Sequence, residues 1–290
     1  MPPPRVETFS PATLAEALEL RAAHPGATPL AGGTDLMVEL NFDRARPPAI
    51  LDLTRIPELR EWAPDDGHVR VGAGVSYARI IAELGDRLPG LAIASRTVGS
   101  PQIRNRGTVG GNLGTASPAG DALPPLYTSG AIAELASVRG TRRVPVAELI
   151  TGPKRTGLAE DELIVAVELP AAAGPQEFAK VGTRNAMVIS VCGVALALWP
   201  AERRVATCIG SAGPTPIATG EADAFASAAL DWDGLGAPGG EILARFGELA
   251  GAVARPIDDV RGTADYRRHA VAVLARRTLS WAWSRMPAWT

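Results

Sequence analysis

The chain has 290 residues, 46% hydrophobic and 21% charged, and its 29 basic and 31 acidic side chains leave a formal net charge of −2. That length suffices for a large core and two domains, the composition excludes general disorder, and near-neutrality removes bulk attraction to nucleic acid or to a membrane surface. No run of about twenty apolar residues would span a bilayer, and the opening Met1-Pro2-Pro3-Pro4-Arg5 has no apolar signal core, so a cytoplasmic protein is expected. Cys192 and Cys208 cannot supply the four thiolates of an iron–sulfur cluster, and His24, His68 and His269 are isolated, so no metal site is expected. If this chain carries redox chemistry, an organic cofactor performs it.

In chain order, Ser10-Pro11 predicts a helix start, with an N-cap and proline at the first helical position. Leu14, Ala17, Leu18 and Arg21 continue it at helical spacing to about His24. Thr28–Ala31 and Ala49–Leu53 read as short buried strands. Between them Gly32-Gly33 breaks the first strand, and Thr34 or Asp35 caps a helix that starts at Leu36. Strand, two glycines and a helix N-terminus form an anion site, because orphan amides and the positive end of the helix dipole converge there. The Asp35 carboxylate opposes a phosphate unless its side chain turns into the helix as the cap and only its N–H faces the ligand.

His68–Ala73 then reads as a strand, and Tyr77–Leu84 as a helix with Ile80, Ile81 and Leu84 on its apolar face. Gly72-Ala73-Gly74-Val75-Ser76-Tyr77 imitates a dinucleotide fingerprint, but Tyr77 occupies the third glycine position and no ribose-binding acid follows, so it reads as a structural turn. A helix opening at Leu91–Ala94 leads to Arg104–Thr115, which holds four glycines in eight residues. Such a run exposes consecutive backbone N–H groups and predicts a concave nest for phosphate, with a plain glycine-rich turn as the alternative. After Asp121 come a short helix, a hairpin of Ile132–Val138 and Arg142–Val146 across Arg139-Gly140, and a strand Leu163–Leu169.

The small-residue linker Ala171–Pro175 sets a domain boundary. Beyond it, Glu177–Gly182, Val188–Leu198 and Arg204–Gly210 read as antiparallel strands, followed by helices near 239–254 and 263–285, an α+β order. Asp259–Arg268 reads as a solvated helix start with i,i+4 pairing. Trp281, Trp283 and Trp289 suit core, tail or interface packing.

Ala31-Gly32-Gly33-Thr34-Asp35-Leu36, with Thr108-Val109-Gly110-Gly111-Asn112 further on, resembles the FAD-binding medium subunit of the molybdenum hydroxylases. This is the family of carbon monoxide dehydrogenase, xanthine dehydrogenase and the bacterial N-heterocycle and nicotine dehydrogenases. Ser117-Pro118-Ala119-Gly120-Asp121, Phe178-Ala179-Lys180-Val181 with Arg184 and Ser190, and Asp259–Arg268 extend the resemblance over nearly the whole chain.

The resemblance implies an α+β protein. Its first part would be a PCMH-type (vanillyl-alcohol-oxidase-like) FAD-binding domain over 1–175, with subdomains of about 1–55 and 56–175. The second would be a C-terminal α+β flavoprotein domain over 176–290, with an antiparallel sheet and helices. FAD would lie in the cleft between the subdomains with its ring toward the C-terminal domain. Ala31, Gly32, Gly33, Thr34, Asp35 and Leu36 would serve the pyrophosphate, and Thr108, Gly110, Gly111 and Asn112 the flavin side. Thr115 and Ser117 would add hydroxyl donors, and the Asp121 carboxylate would accept from FAD hydroxyls. Leu158 would give an apolar contact, and Lys180 would stand by the isoalloxazine ring and stabilise its anionic reduced form. No residue is assigned as catalytic.

Implied partners are a 2Fe–2S small subunit and a molybdenum–pterin large subunit in a doubled heterotrimer. The external electron acceptor would be NAD, a quinone, a protein or O2. Two other readings stay open: a self-contained PCMH-type flavin oxidase or reductase, and a non-catalytic nucleotide-binding protein of the same fold.

Overall fold

Three larger sheets, each made by a different stretch of chain, organise the computed structural model, which describes residues 6–289. Met1–Arg5, read above for a signal segment, lie outside the described residues. The first sheet is parallel, with Glu7–Phe9, Ala49–Asp52 and Ala27–Leu30 in that spatial order. Parallel neighbours need crossovers, and the helices Leu14–Ala23 and Leu36–Asn41 lie in them. The first helix is capped by Thr13, not by Ser10. Thr13 Oγ1 accepts from the Glu16 amide at 3.2 Å, and the Glu16 carboxylate accepts from the Ala12 amide at 2.8 Å. That reciprocal pairing of the capping-box kind outweighs the serine–proline signal.

The second sheet is antiparallel and runs Trp62–Asp65, His68–Gly72, Leu163–Pro170, Ile132–Ser137, Gly140–Pro145. Its central strand is apolar almost throughout because both faces are covered. Leu163 and Val165 pack with Leu51 of the first subdomain and with Ile56. Ile164, Val167 and Leu169 pack with Val71, Leu113 and Leu126 on the other side. A register shift between Ile164 and Ala166 lets residues on both sides of it face that second core. The helix expected from Leu91 is two helices, Pro89–Thr97 and Pro101–Arg106, because the Ser100 side chain accepts from the Ile103 amide and Pro101 restarts the turn.

The third sheet is antiparallel: Gln176–Val181, Cys192–Trp199, Arg204–Gly210 and Ile217–Ala218. The helices Gly220–Ala229, Gly240–Ala252 and Ala264–Ser284 share its core around Phe246, Leu196, Val271 and Leu279. The first of these three is absent from the sequence reading, since only Ala222 and Ala226 mark its buried face. Residues 188–191 precede the strand instead of belonging to it. Asp259–Arg268 is not simply solvated: Arg267 is buried and donates to Asp259 at 2.5 Å and to the Ser211 carbonyl at 3.0 Å. Bonds from Arg261 above all, with Arg267, hold the Asp259 carboxyl well below the usual carboxylate range. No helix among the described residues is long and apolar enough to cross a membrane.

Asp223 ties the helix Gly220–Ala229 to the third sheet by accepting from the Thr207 amide at 3.1 Å and the Thr219 hydroxyl at 3.0 Å. Burial nonetheless pushes its carboxyl up to about 6. Between the unfolded value of about 3.9 and that folded value, the folded state holds a proton that the unfolded chain has released, so stability from this group falls as pH rises through the window. Asp223→Asn is therefore expected to gain on the parent between about pH 4 and pH 7, by up to about 3 kcal/mol. Calorimetric melting across that range checks it, and a pH-independent difference would refute it.

Candidate functional site

The segment Ala31–Leu36 joins the strand Ala27–Leu30 to the helix Leu36–Asn41. Among the described residues, the amides of Gly32, Gly33, Thr34, Asp35 and Leu36 donate to no protein acceptor. Gly33 sits at φ +76°, a region that side chains with a Cβ rarely adopt. Gly32 is required by contact, since a Cβ there would stand 2.1 Å from the Arg106 carbonyl oxygen. The Asp35 side chain does not cap the helix as expected. Instead it reaches the other glycine segment, where the Thr115 hydroxyl donates to it at 3.2 Å. That bond also occupies the Thr115 proton, which the sequence reading reserved for a ligand.

The second glycine run is a helix, Val109–Thr115, and not a nest of open amides. Thr108 caps it by accepting from the Gly111 amide at 3.0 Å. The Gly110 amide donates to the Ala73 carbonyl at 3.1 Å and the Asn112 amide to the Thr108 carbonyl at 3.0 Å. Glycine here serves close packing: a Cβ on Gly110 would meet Ala73 Cβ at 2.4 Å. On Gly111 the nearest atom would be Thr108 Oγ1 at 3.1 Å, with Ala31 of the first loop at 3.8 Å. Asn112 Oδ1 is buried without a partner.

Between these segments lies a cavity of about 920 Å³. Every residue expected to contact FAD lines it except Lys180. The first subdomain contributes the open-amide loop, the second contributes Thr108–Thr115, Asp121 and Leu158, and the C-terminal domain contributes Met187, Val188 and Ile189. The Glu39–Lys154 ion pair at 2.5 Å joins the two subdomains at its rim.

Asp121 lines the cavity with its carboxylate already engaged. It accepts from Lys180 Nζ at 2.6 Å, Ser190 Oγ at 2.5 Å and Thr97 Oγ1 at 3.2 Å. Burial pushes this carboxyl above its ordinary range, against the pull of Lys180 and the two hydroxyls. Lys180 spends its remaining N–H groups on the Thr97 carbonyl at 2.9 Å and the Val188 carbonyl at 3.1 Å. It does not line the cavity, and its three N–H groups are spent on protein acceptors.

Sequence reasoning missed Glu39, Lys154, Tyr77 and the 187–189 segment. Tyr77 was assigned to a structural turn, yet its ring lines the cavity, its hydroxyl is buried without an acceptor, and burial raises its phenol. Its place at a strand–helix junction was the one available signal. Met187 and Ile189 carried none, since nothing in a short apolar stretch distinguishes a cavity rim from a strand.

Open amides match phosphate oxygens, a buried carboxylate matches hydroxyls, and the volume suits a cofactor. Comparisons with known proteins agree with that chemistry. Residues 4–172 match the family described as FAD binding domain in molybdopterin dehydrogenase, and residues 177–282 match the CO dehydrogenase flavoprotein C-terminal domain. The chain is 32% identical over 285 residues to a xanthine dehydrogenase FAD-binding subunit of Escherichia coli O157:H7, covering 93% of each. It is 31% identical over 291 residues to the nicotine 6-hydroxylase medium subunit of Paenarthrobacter nicotinovorans, covering 97% of this chain and 99% of that one. Among solved structures, a chain of carbon monoxide dehydrogenase from Hydrogenophaga pseudoflava superposes with a TM-score of 0.88 at 30% identity, over 99% of this chain and 100% of that one.

The two adjacent glycines separate packing from ligand contact. Gly110→Ala is expected to destabilise the cofactor-free protein by about 1–3 kcal/mol, as overpacking does. Gly111→Ala is expected to melt like the parent while binding FAD more weakly. Thermal melting of both apoproteins and fluorescence titration with FAD check this; parent-like FAD affinity in Gly111→Ala would remove Gly111 from the contact surface.

Proposed function

The chain belongs to the FAD-binding subunits of the molybdopterin dehydrogenases, and from that premise we propose that it takes electrons from the 2Fe–2S clusters of a partner subunit and passes them to an external acceptor. The observation that carries this reading is the state of the carboxylates lining the cavity. Asp35 is bonded to Thr115, Glu39 to Lys154, Asp121 to Lys180 and Glu162 to Arg142. Among the described residues, no histidine or cysteine lines the cavity. A self-contained oxidase needs an acid–base group free to face its own substrate; each of these carboxylates is occupied, and burial raises the Tyr77 phenol, so it stays protonated. The same lack of histidine and cysteine disfavours a covalent flavin link.

FAD, the cofactor of this family, supplies a two-electron store when bound. The residues present suit it. The Gly32–Leu36 amides would bind pyrophosphate oxygens, the Thr108–Asn112 segment and Leu158 would pack against the flavin portion, and Asp121 and Ser117 would meet hydroxyls. The chain thus binds and orients the cofactor and excludes water, and moves no proton of its own. We take 1–175 and 176–290 as its two domains. In this reading a molybdenum–pterin large subunit and a 2Fe–2S small subunit complete a doubled heterotrimer in the cytoplasm, a compartment that suits the free Cys192 and Cys208 thiols. The acceptor is NAD, a quinone, a protein or O2.

The test is to isolate the tagged chain from its native host and measure flavin, iron and molybdenum. One FAD per chain with copurifying iron and molybdenum is expected, and the flavin absorbance should bleach when the complex is given its reducing substrate without air. A chain that isolates alone and consumes a substrate with O2 would establish the oxidase reading. Absence of flavin after incubation with excess FAD would establish the non-catalytic one.

A further inference from the structure

The Lys180 ammonium is a meeting point of separate segments. Its side chain, on the strand Gln176–Val181, is only 10% exposed, and that of Asp121 is 8% exposed. Its three acceptors come from the end of the helix Pro89–Thr97, from Asp121 beyond the second glycine segment, and from the 182–191 connection. Lysine suits that arrangement, because a compact ammonium directs three N–H groups to diverging acceptors where a planar guanidinium cannot. The chain has two lysines, Lys154 and Lys180, against 27 arginines, and both pair with carboxylates that line the cavity.

The 182–191 connection needs such an anchor. Met187 and Ile189 are 55% and 62% exposed, so packing does not hold them against the cavity. Met187 adopts φ +51°, a left-handed conformation that a non-glycine residue keeps only under outside constraint. The constraints are few. Lys180 holds the Val188 carbonyl, Arg184 holds the Ala186 and Met187 carbonyls, and Ser190 donates to Asp121 while its own carbonyl accepts from Ser211 Oγ at 2.8 Å.

We propose that Lys180 is a positioning residue for the FAD cavity: it balances the Asp121 carboxylate from behind and anchors Val188, so that one side chain fixes both the carboxylate and the Met187–Ile189 wall. The assignment of the cavity to FAD is taken from the functional reading; the anchoring itself does not depend on it. The groups facing Asp121 are Lys180 from the strand, the Tyr77 phenol from the helix Tyr77–Glu83, and the Ser190 and Thr97 hydroxyls. Lys180 is the only cation among them. Without it, Asp121 becomes a buried carboxylate with no counter-charge and holds its proton to higher pH than in the parent.

The test uses the full chain with Lys180→Met, Asp121→Asn and the double variant, read by FAD titration against pH and by tryptic cleavage after Arg184. In Lys180→Met, the pH dependence of FAD affinity should move to higher pH than in the parent, and the double variant should lose that shift. Cleavage after Arg184 in the cofactor-free chain should be roughly tenfold faster in both Lys180 variants, since an anchor against local opening is gone. Parent-like cleavage would overturn the anchoring, and a shift that persists in the double variant would overturn the charge balance. If Lys180→Met does not fold, the double variant, which leaves no unpaired charge, still reads the cleavage. A parent that binds no FAD would defeat the functional reading and leave the cleavage result standing.

Discussion

The site depends on one backbone contact, the approach of Gly32 to the Arg106 carbonyl. It brings together a loop of the parallel subdomain and the segment that leads into the helix Val109–Thr115, and it leaves no room for a side chain between them. Gly110 makes the corresponding contact on the next strand–helix junction at Ala73. The two contacts fix the separation of the open amides from the helix that faces them, so the cavity's shape is set by main chain and not by adjustable side chains. Interiors at native density do not yield to an added methyl without moving backbone. This accounts for the concentration of glycine here better than flexibility does.

Both glycine runs were legible as special from composition alone, and the structure brings both to one cavity. Their physics differs, however. The first run leaves its amides open, while the second spends them on Ala73, Thr108 and its own helix. A glycine-rich sequence cannot distinguish an exposed amide from a close helix packing, because both need the absence of Cβ and the difference lies in a partner far along the chain.

The strands and the α+β class were legible because Leu163–Leu169 and Arg204–Gly210 are bounded apolar runs, and such runs fix burial whatever the partners. Long-range polar pairings were not. Asp35 reaches Thr115, Glu39 reaches Lys154 and Asp121 reaches Lys180, each across a large sequence separation that no local pattern encodes. In each case a residue chosen or overlooked by its type acquires its role from a neighbour. Lys180 is the clearest: a cation placed beside the cofactor by resemblance turns out to have its three N–H groups spent on protein acceptors.

These pairings also explain how a cavity suited to a polyanionic cofactor tolerates four acidic side chains in its lining. An unpaired carboxylate there would repel phosphate and, where buried, would shift toward protonation. Cations paired with Glu39, Asp121 and Glu162 offset their charge, and the Thr115 hydroxyl gives Asp35 a donor. Asp121 and Glu162, the least exposed of the four, each accept three hydrogen bonds, as desolvation requires. An FAD-binding subunit gains from that arrangement, because fixed charges and dipoles around the cavity are left to tune a bound cofactor.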